Sequence, residues 1–141
     1  MALIGGLNPW ALLLAAAAGF IFGAIWYMAL SKPWRIAAKL DVGTAAAGPP
    51  LAMLAATFAA QLVMAWLFAQ ILLNLGRGGL SVSLASGVVS GVFIWAGFIL
   101  MPMLIGHMYQ GASRQLTLID GAHWLGVMVL QGAILGAIGL R

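Results

Sequence analysis

The chain predicts an all-α integral membrane fold, a bundle of four transmembrane helices, and three observations lead there. Only eight of its 141 residues carry a formal charge, and long uncharged runs separate them. A helix needs roughly 20 apolar residues to cross the hydrocarbon layer, and four runs reach that length. The composition, 65% hydrophobic against 6% charged, leaves no polar shell for a water-facing surface, since about a quarter of the residues in soluble domains are charged.

The first span is predicted over residues 9–30. Asn8 suits the cap and Pro9 the first helical position, and Lys32-Pro33 closes the run. Residues 34–40 place Arg35 and Lys39 on one side and Ile36 and Leu40 on the other. This predicts a short helix in the membrane interface, anchored by Trp34, Arg35 and Lys39. A Gly- and Pro-containing connection leads to the second span, 50–73, ending near Asn74 and Gly76. The third span, 83–106, contains Pro102, which removes a backbone donor and predicts a bend over 98–102. The fourth, 119–140, starts at Thr117-Leu-Ile-Asp120, a variant of the capping signature. The N-terminus has no basic leader, so the first span is expected to be retained and not cleaved as a signal peptide.

Orientation follows from the bases in the short loops. Lys32, Arg35, Lys39 and Arg114 fall at one end, Arg77 and Arg141 at the other. Four against two makes the first end cytoplasmic, with both termini outside, in a bacterial inner membrane. The net charge of +4 is spread over loops and forms no basic stripe, so nucleic acid is not an expected partner. With no cysteine in the chain, thiol chemistry is excluded.

Small side chains supply the next signal. Helix packing in lipid depends on close approach of backbones, and Gly19 with Gly23, Ser83 with Gly87 and Gly91, and Gly132 with Gly136 recur at four-residue spacing. These faces serve either packing inside one bundle or docking to another subunit. Gly19-x-x-x-Gly23 with Trp26 recurs as Gly87-x-x-x-Gly91 with Trp95, and Gln61 recurs as Gln131. A 2+2 tandem repeat is one reading of that spacing; chance in a chain of nineteen glycines is the other. Gln61 and Gln131 fall near the midplane, where an amide seeks a partner: a clamp between spans two and four, or a polar path that would include Ser90.

His107, Asp120 and His123 gather near one end of spans three and four, and Asp120 and His123 share a helical face. They are candidate metal ligands, weighed against the blander reading in which Asp120 caps its helix and balances Arg114. No metal or other cofactor is predicted; a bound lipid, quinone or pigment stays open. Most aromatic residues, among them Trp26, Tyr27, Trp34 and Trp124, fall towards span ends as an interfacial belt. Trp95 is mid-span, packing on span one or touching a bound molecule. No nucleophile–base arrangement, phosphate loop or acid pair is present, so an enzyme is not expected.

Asn8-Pro-Trp10, Gly23-x-x-Trp26-Tyr27 with Trp34, Gly91-x-x-x-Trp95-x-Gly97, His123 and Gly132 together resemble the small four-span bacterial membrane proteins catalogued as domain of unknown function 1761. Met28-Ala29-Leu30 departs from that pattern, where a Ser-Pro step is expected. The resemblance implies four spans and brings no activity.

The leading functional expectation is a non-enzymatic membrane protein acting by helix–helix association, as an accessory or structural subunit or a homo-oligomer. Its partners would be lipids and other membrane subunits or further copies. Two alternatives stand beside it. One is a small channel or carrier for an uncharged or weakly polar solute. The other is a membrane module binding a pigment, quinone or metal.

Overall fold

The computed structural model describes residues 6–40 and 48–141; the readings that touch residues 1–5 and Asp41 fall outside them. Among the described residues the chain is helical throughout: α1 (Pro9–Ala29), α2 (Ser31–Ala37), α3 (Leu51–Arg77), α4 (Leu84–Ile94), a π-helical stretch (Trp95–Leu100), α5 (Met101–Tyr109) and α6 (Arg114–Ile138). α4, the π stretch and α5 form one continuous third span, Leu84–Tyr109, so four helices are long and apolar enough to cross a membrane. The protein is an integral membrane helical bundle.

Local chemistry sets the boundaries, and it moves several of those expected from sequence. Asn8 caps α1, its side chain accepting from the backbone N–H groups of Trp10 and Ala11. α2 begins three residues earlier than expected, at Ser31, because Pro33 sits in the first turn, where a missing N–H costs no helical bond. It ends before Lys39, whose φ of 57° is left-handed and cannot continue a helix. α3 extends one turn past its expected end. Asn74 donates its amide to the carbonyl of Gln70 at 2.9 Å and so stays inside the helix, which ends at Gly78. The third span is capped by Ser83 and Ser86, each side chain answering the other's backbone N–H. It passes Gly106 and stops before Gly111, at φ +63°.

The largest correction concerns α6. Its cap is Ser113, which accepts from the N–H of Leu116, so Thr117 and Asp120 are interior to the helix and neither starts it. The bend expected near Pro102 takes the form of the π-helical stretch Trp95–Leu100. Widening the turn moves backbone groups out of the register in which a proline ring meets the carbonyl four residues earlier.

The four spans are arranged about α6, which packs against α1 and α4 most extensively and against α3 less. α3 leans mainly on α1 and scarcely meets the third span; an apolar groove of about 300 Å³ separates them, with Met128 of α6 at its base. In the most apolar window of each span, 44% of α6 is buried but only 6% of the third span. α6 is thus the helix the others surround, and the third span is mostly lipid-facing. The core joins Ala11, Ala15 and Ala16 of α1 to Ala65, Phe68 and Leu72 of α3 and to Met128 and Leu135 of α6. At one end the N–H of Asn8 donates to the carbonyl of Leu140 at 2.9 Å, fastening the start of α1 to the end of α6.

Candidate functional site: an aromatic-walled cavity between α1, α3 and α6

α1 and α6 run antiparallel, and three residues of α1 at four-residue spacing meet the polar side chains of α6. A Cβ on Gly19 would lie 2.7 Å from Gln61 Oε1 and 3.3 Å from Gln131 Nε2; one on Gly23 would lie 2.8 Å from His123 Nε2. One turn further, the Tyr27 hydroxyl donates to Asp120 Oδ1 at 2.8 Å. These two glycines therefore leave room for side chains.

Those between the third span and α6 work differently. A Cβ on Gly87 would strike the carbonyl of Gly132, one on Gly132 the carbonyl of Gly87, one on Gly136 the carbonyl of Ser83 and one on Gly91 that of Met128. There the two backbones themselves touch. Gly19, Gly23, Gly87, Gly91, Gly132 and Gly136 thus face other parts of the same chain, while Ser83 is exposed with its carbonyl against Gly136.

The midplane amides meet. Gln131 Nε2 donates to Gln61 Oε1 at 2.8 Å and to the Gln61 carbonyl at 3.3 Å, while Gln131 Oε1 is buried with no partner among the described residues. Ser90, placed with them in sequence, is half-buried on α4 and does not line the cavity beside Gln61.

That cavity, of about 230 Å³, lies between α1, α3 and α6. Tyr27, Thr57, Gln61 and His123 line it beside the aromatic walls Phe20 and Trp124, and the surface they present to it is almost wholly apolar. Leu54, Thr57 and Gln61 share a face of α3 at helical spacing. The Thr57 hydroxyl donates to the Met53 carbonyl at 2.8 Å, leaving its lone pairs free of that bond. His123 is only 6% exposed, and its Nδ1 has no partner among the described residues. Its ring lies 4.7 Å from that of Tyr27 and 4.9 Å from that of Trp124, with Phe22 stacked at 6.1 Å. No Asp, Glu, Lys or Arg lines the cavity.

Sequence reasoning placed His123 and Gln61 but missed Tyr27, Thr57, Phe20 and Trp124 as wall residues. The available signal was Tyr27 standing one turn beyond Gly23, on the same stripe.

The aromatic residues are more than an interfacial belt. Trp26 donates its indole N–H to the carbonyl of Ile119 at 3.2 Å, Trp34 to Asp120 Oδ1 at 3.0 Å and Trp95 to the carbonyl of Gly121 at 2.9 Å. Three consecutive residues of α6 are thereby held from three elements. Trp95 thus bonds to α6 and not to α1, as one reading of the sequence had it. Asp120 accepts from Tyr27 and Trp34 in place of capping its helix. Trp34 anchors α2 to α6, and the Ser113 hydroxyl reinforces this by donating to the Ala37 carbonyl at 3.0 Å. Arg35 is half-buried on α2 and Lys39 exposed beyond it. His107 pairs its Nδ1 with Thr117 Oγ1 at 2.8 Å. Among the described residues no three His, Cys, Asp or Glu side chains converge as a metal site would require, so His107, His123 and Asp120 are not brought together.

Fold and site together define a multi-pass helical membrane protein with a small cavity inside its spans. The chain belongs to the family described as protein of unknown function, DUF1761, whose model matches residues 10–136. No curated protein and no solved structure matches it.

Proposed function

We propose that this is a non-enzymatic membrane protein whose cavity between α1, α3 and α6 holds a small, weakly polar molecule, as a binding module or carrier. The observation that carries this reading is the cavity of about 230 Å³ within the spans, walled by Phe20, Tyr27, His123 and Trp124. Gln61 and His123 support the same reading, since they bring polar side chains to the wall of a cavity set among apolar spans.

The association reading has less support, because the glycines that would carry it face other parts of the same chain. An accessory or self-associating role would have to use the outer, lipid-facing surface. The bases at one end, Lys32, Arg35, Lys39 and Arg114, support a cytoplasmic assignment for that end and outward termini, in a bacterial inner membrane.

Native mass spectrometry of the chain released from lipid nanodiscs tests the reading. One small molecule per chain is expected on the wild type, absent from His123→Phe and retained by the distant Gly106→Ala. A wild-type spectrum identical to that of His123→Phe would overturn it. A fixed oligomer without a small ligand would restore association as the function.

A further inference from the structure

The end of the bundle that carries Lys32, Arg35, Lys39 and Arg114 holds its charge at a fixed depth. Leu30 alone separates α1 from α2, so α2 starts where the first span leaves the hydrocarbon layer. It lies against α6 because Trp34 donates to Asp120 Oδ1 and the Ser113 hydroxyl to the Ala37 carbonyl, both at 3.0 Å. Arg114 is the first residue of α6 and is fixed in the same way at the start of its span.

The bond from Ser113 to Ala37 also sets two cations on adjoining backbones. Arg114 follows Ser113 directly, Lys39 stands two residues beyond Ala37, and both are exposed; Lys32 is exposed earlier on α2. None of these three is paired with an acid among the described residues. Asp120, the sole acid among those residues, accepts from Tyr27 and Trp34 instead. Over residues 31–41 and 114–120 the chain carries four bases and two acids, so this end is net positive. Like charges gathered without a counter-ion repel each other, and an anion placed between them removes that cost.

Apolar side chains stand beside the bases. Ile36 is 54% exposed and Leu40 48%, and a short segment that exposes both kinds of side chain suits the boundary between acyl chains and headgroups. The anion found at that depth is a lipid phosphate, and negatively charged bilayer surfaces attract bases that adjoin a span. A zwitterionic lipid is a poorer match, because its own ammonium meets the same cations.

We propose that Lys39 and Arg114, supported by Lys32, dock the headgroup of an anionic phospholipid, with Ile36 and Leu40 beside its acyl chains. This site lies outside the cavity between α1, α3 and α6 and does not depend on what that cavity holds.

The test titrates the full chain in a neutral detergent with phosphatidylglycerol or with phosphatidylcholine of the same acyl chains, read by native mass spectrometry. The first phosphatidylglycerol should bind roughly tenfold or more tightly than the first phosphatidylcholine, given about fivefold from each base at an anionic surface. Lys39→Asn and Arg114→Gln should each lower that preference about fivefold, and Arg114→Lys should keep it. Asn tolerates the left-handed backbone at position 39, and both positions are exposed, so thermal unfolding should not change. Arg77→Gln and Arg141→Gln, the same charge change at the other end, should have no effect. Equal affinity for the two lipids, or an equal loss in Arg77→Gln, would overturn the proposal. Displacement of phosphatidylglycerol by equimolar glycerol phosphate would overturn it too, by making this a site for free anions.

Discussion

Glycine serves two separate purposes in this protein, and substitution distinguishes them. Gly87 and Gly132 face each other's carbonyls across α4 and α6, where neither backbone can yield without parting the helices. Gly87→Ala or Gly132→Ala should cost about 1–3 kcal/mol, the usual penalty of overpacking, seen as a fall in melting temperature in detergent. Gly106 has nothing within 4 Å of its Cβ position, so Gly106→Ala should be neutral or stabilising by up to about 1 kcal/mol through helix propensity. Gly23 lies between these cases, because the atom in its way is an imidazole nitrogen that can rotate. Gly23→Ala should destabilise less than Gly87→Ala while displacing His123. Equal losses at Gly87 and Gly106 would contradict the backbone contact. The sequence showed Gly23, Gly87 and Gly132 on small-residue faces but could not separate the two purposes, since spacing on one helix does not say whether backbone or side chain stands opposite.

Elements are held by polar bonds aimed at one short stretch of α6. The helix α2 lies beside α6 because Trp34 and Tyr27 both donate to Asp120 and Ser113 donates to Ala37. Asp120→Ala should release α2, with faster amide exchange over 31–40 and little change in α4; unchanged exchange there would show that α2 is held by apolar contact alone. The uncharged polar contacts inside the spans are individually modest, averaging about 0.6 kcal/mol in membrane proteins. Gln131→Leu should accordingly lower stability by no more than about 1–2 kcal/mol, measured by thermal unfolding, while leaving the helical content intact. Span existence was legible from hydrophobic length, and the cap at Asn8 from residue type. The start of α6 was not, because Thr117 and Asp120 imitate a cap whose true residue, Ser113, lies one turn earlier. Pro102 marked a local disturbance correctly, yet nothing in the sequence separates a kink from a π turn.

The molecule as a whole is organised about its last helix. α1 and α4 dock on α6 in the same sense, each with a Gly-x-x-x-Gly step followed by a tryptophan that donates to an α6 carbonyl. This recurrence gives the sequence repeat a spatial counterpart, though the two glycine pairs make different contacts. The cavity itself was not legible, because it depends on how far α3 stands from α6 on the side of Leu54 and Thr57, and no periodicity reports a gap between helices. The absence of cysteine means that any single introduced thiol is the only label site. A cysteine at Lys32 should react with reagents from the cytoplasmic side only, and one at Arg141 from the opposite side; the reverse pattern would invert the topology.

The central claim is a cavity within the spans that opens to lipid and not to water, past the exposed Ala24, Leu54 and Thr57 that line it. A spin label on Thr57→Cys in liposomes tests it most directly, by comparing collisions with oxygen, which concentrates in the bilayer, against those with a water-soluble nickel chelate. Strong broadening by oxygen and none by the chelate is the result expected here. Ready access of the chelate to residue 57 would mean a water-filled path and would contradict the claim.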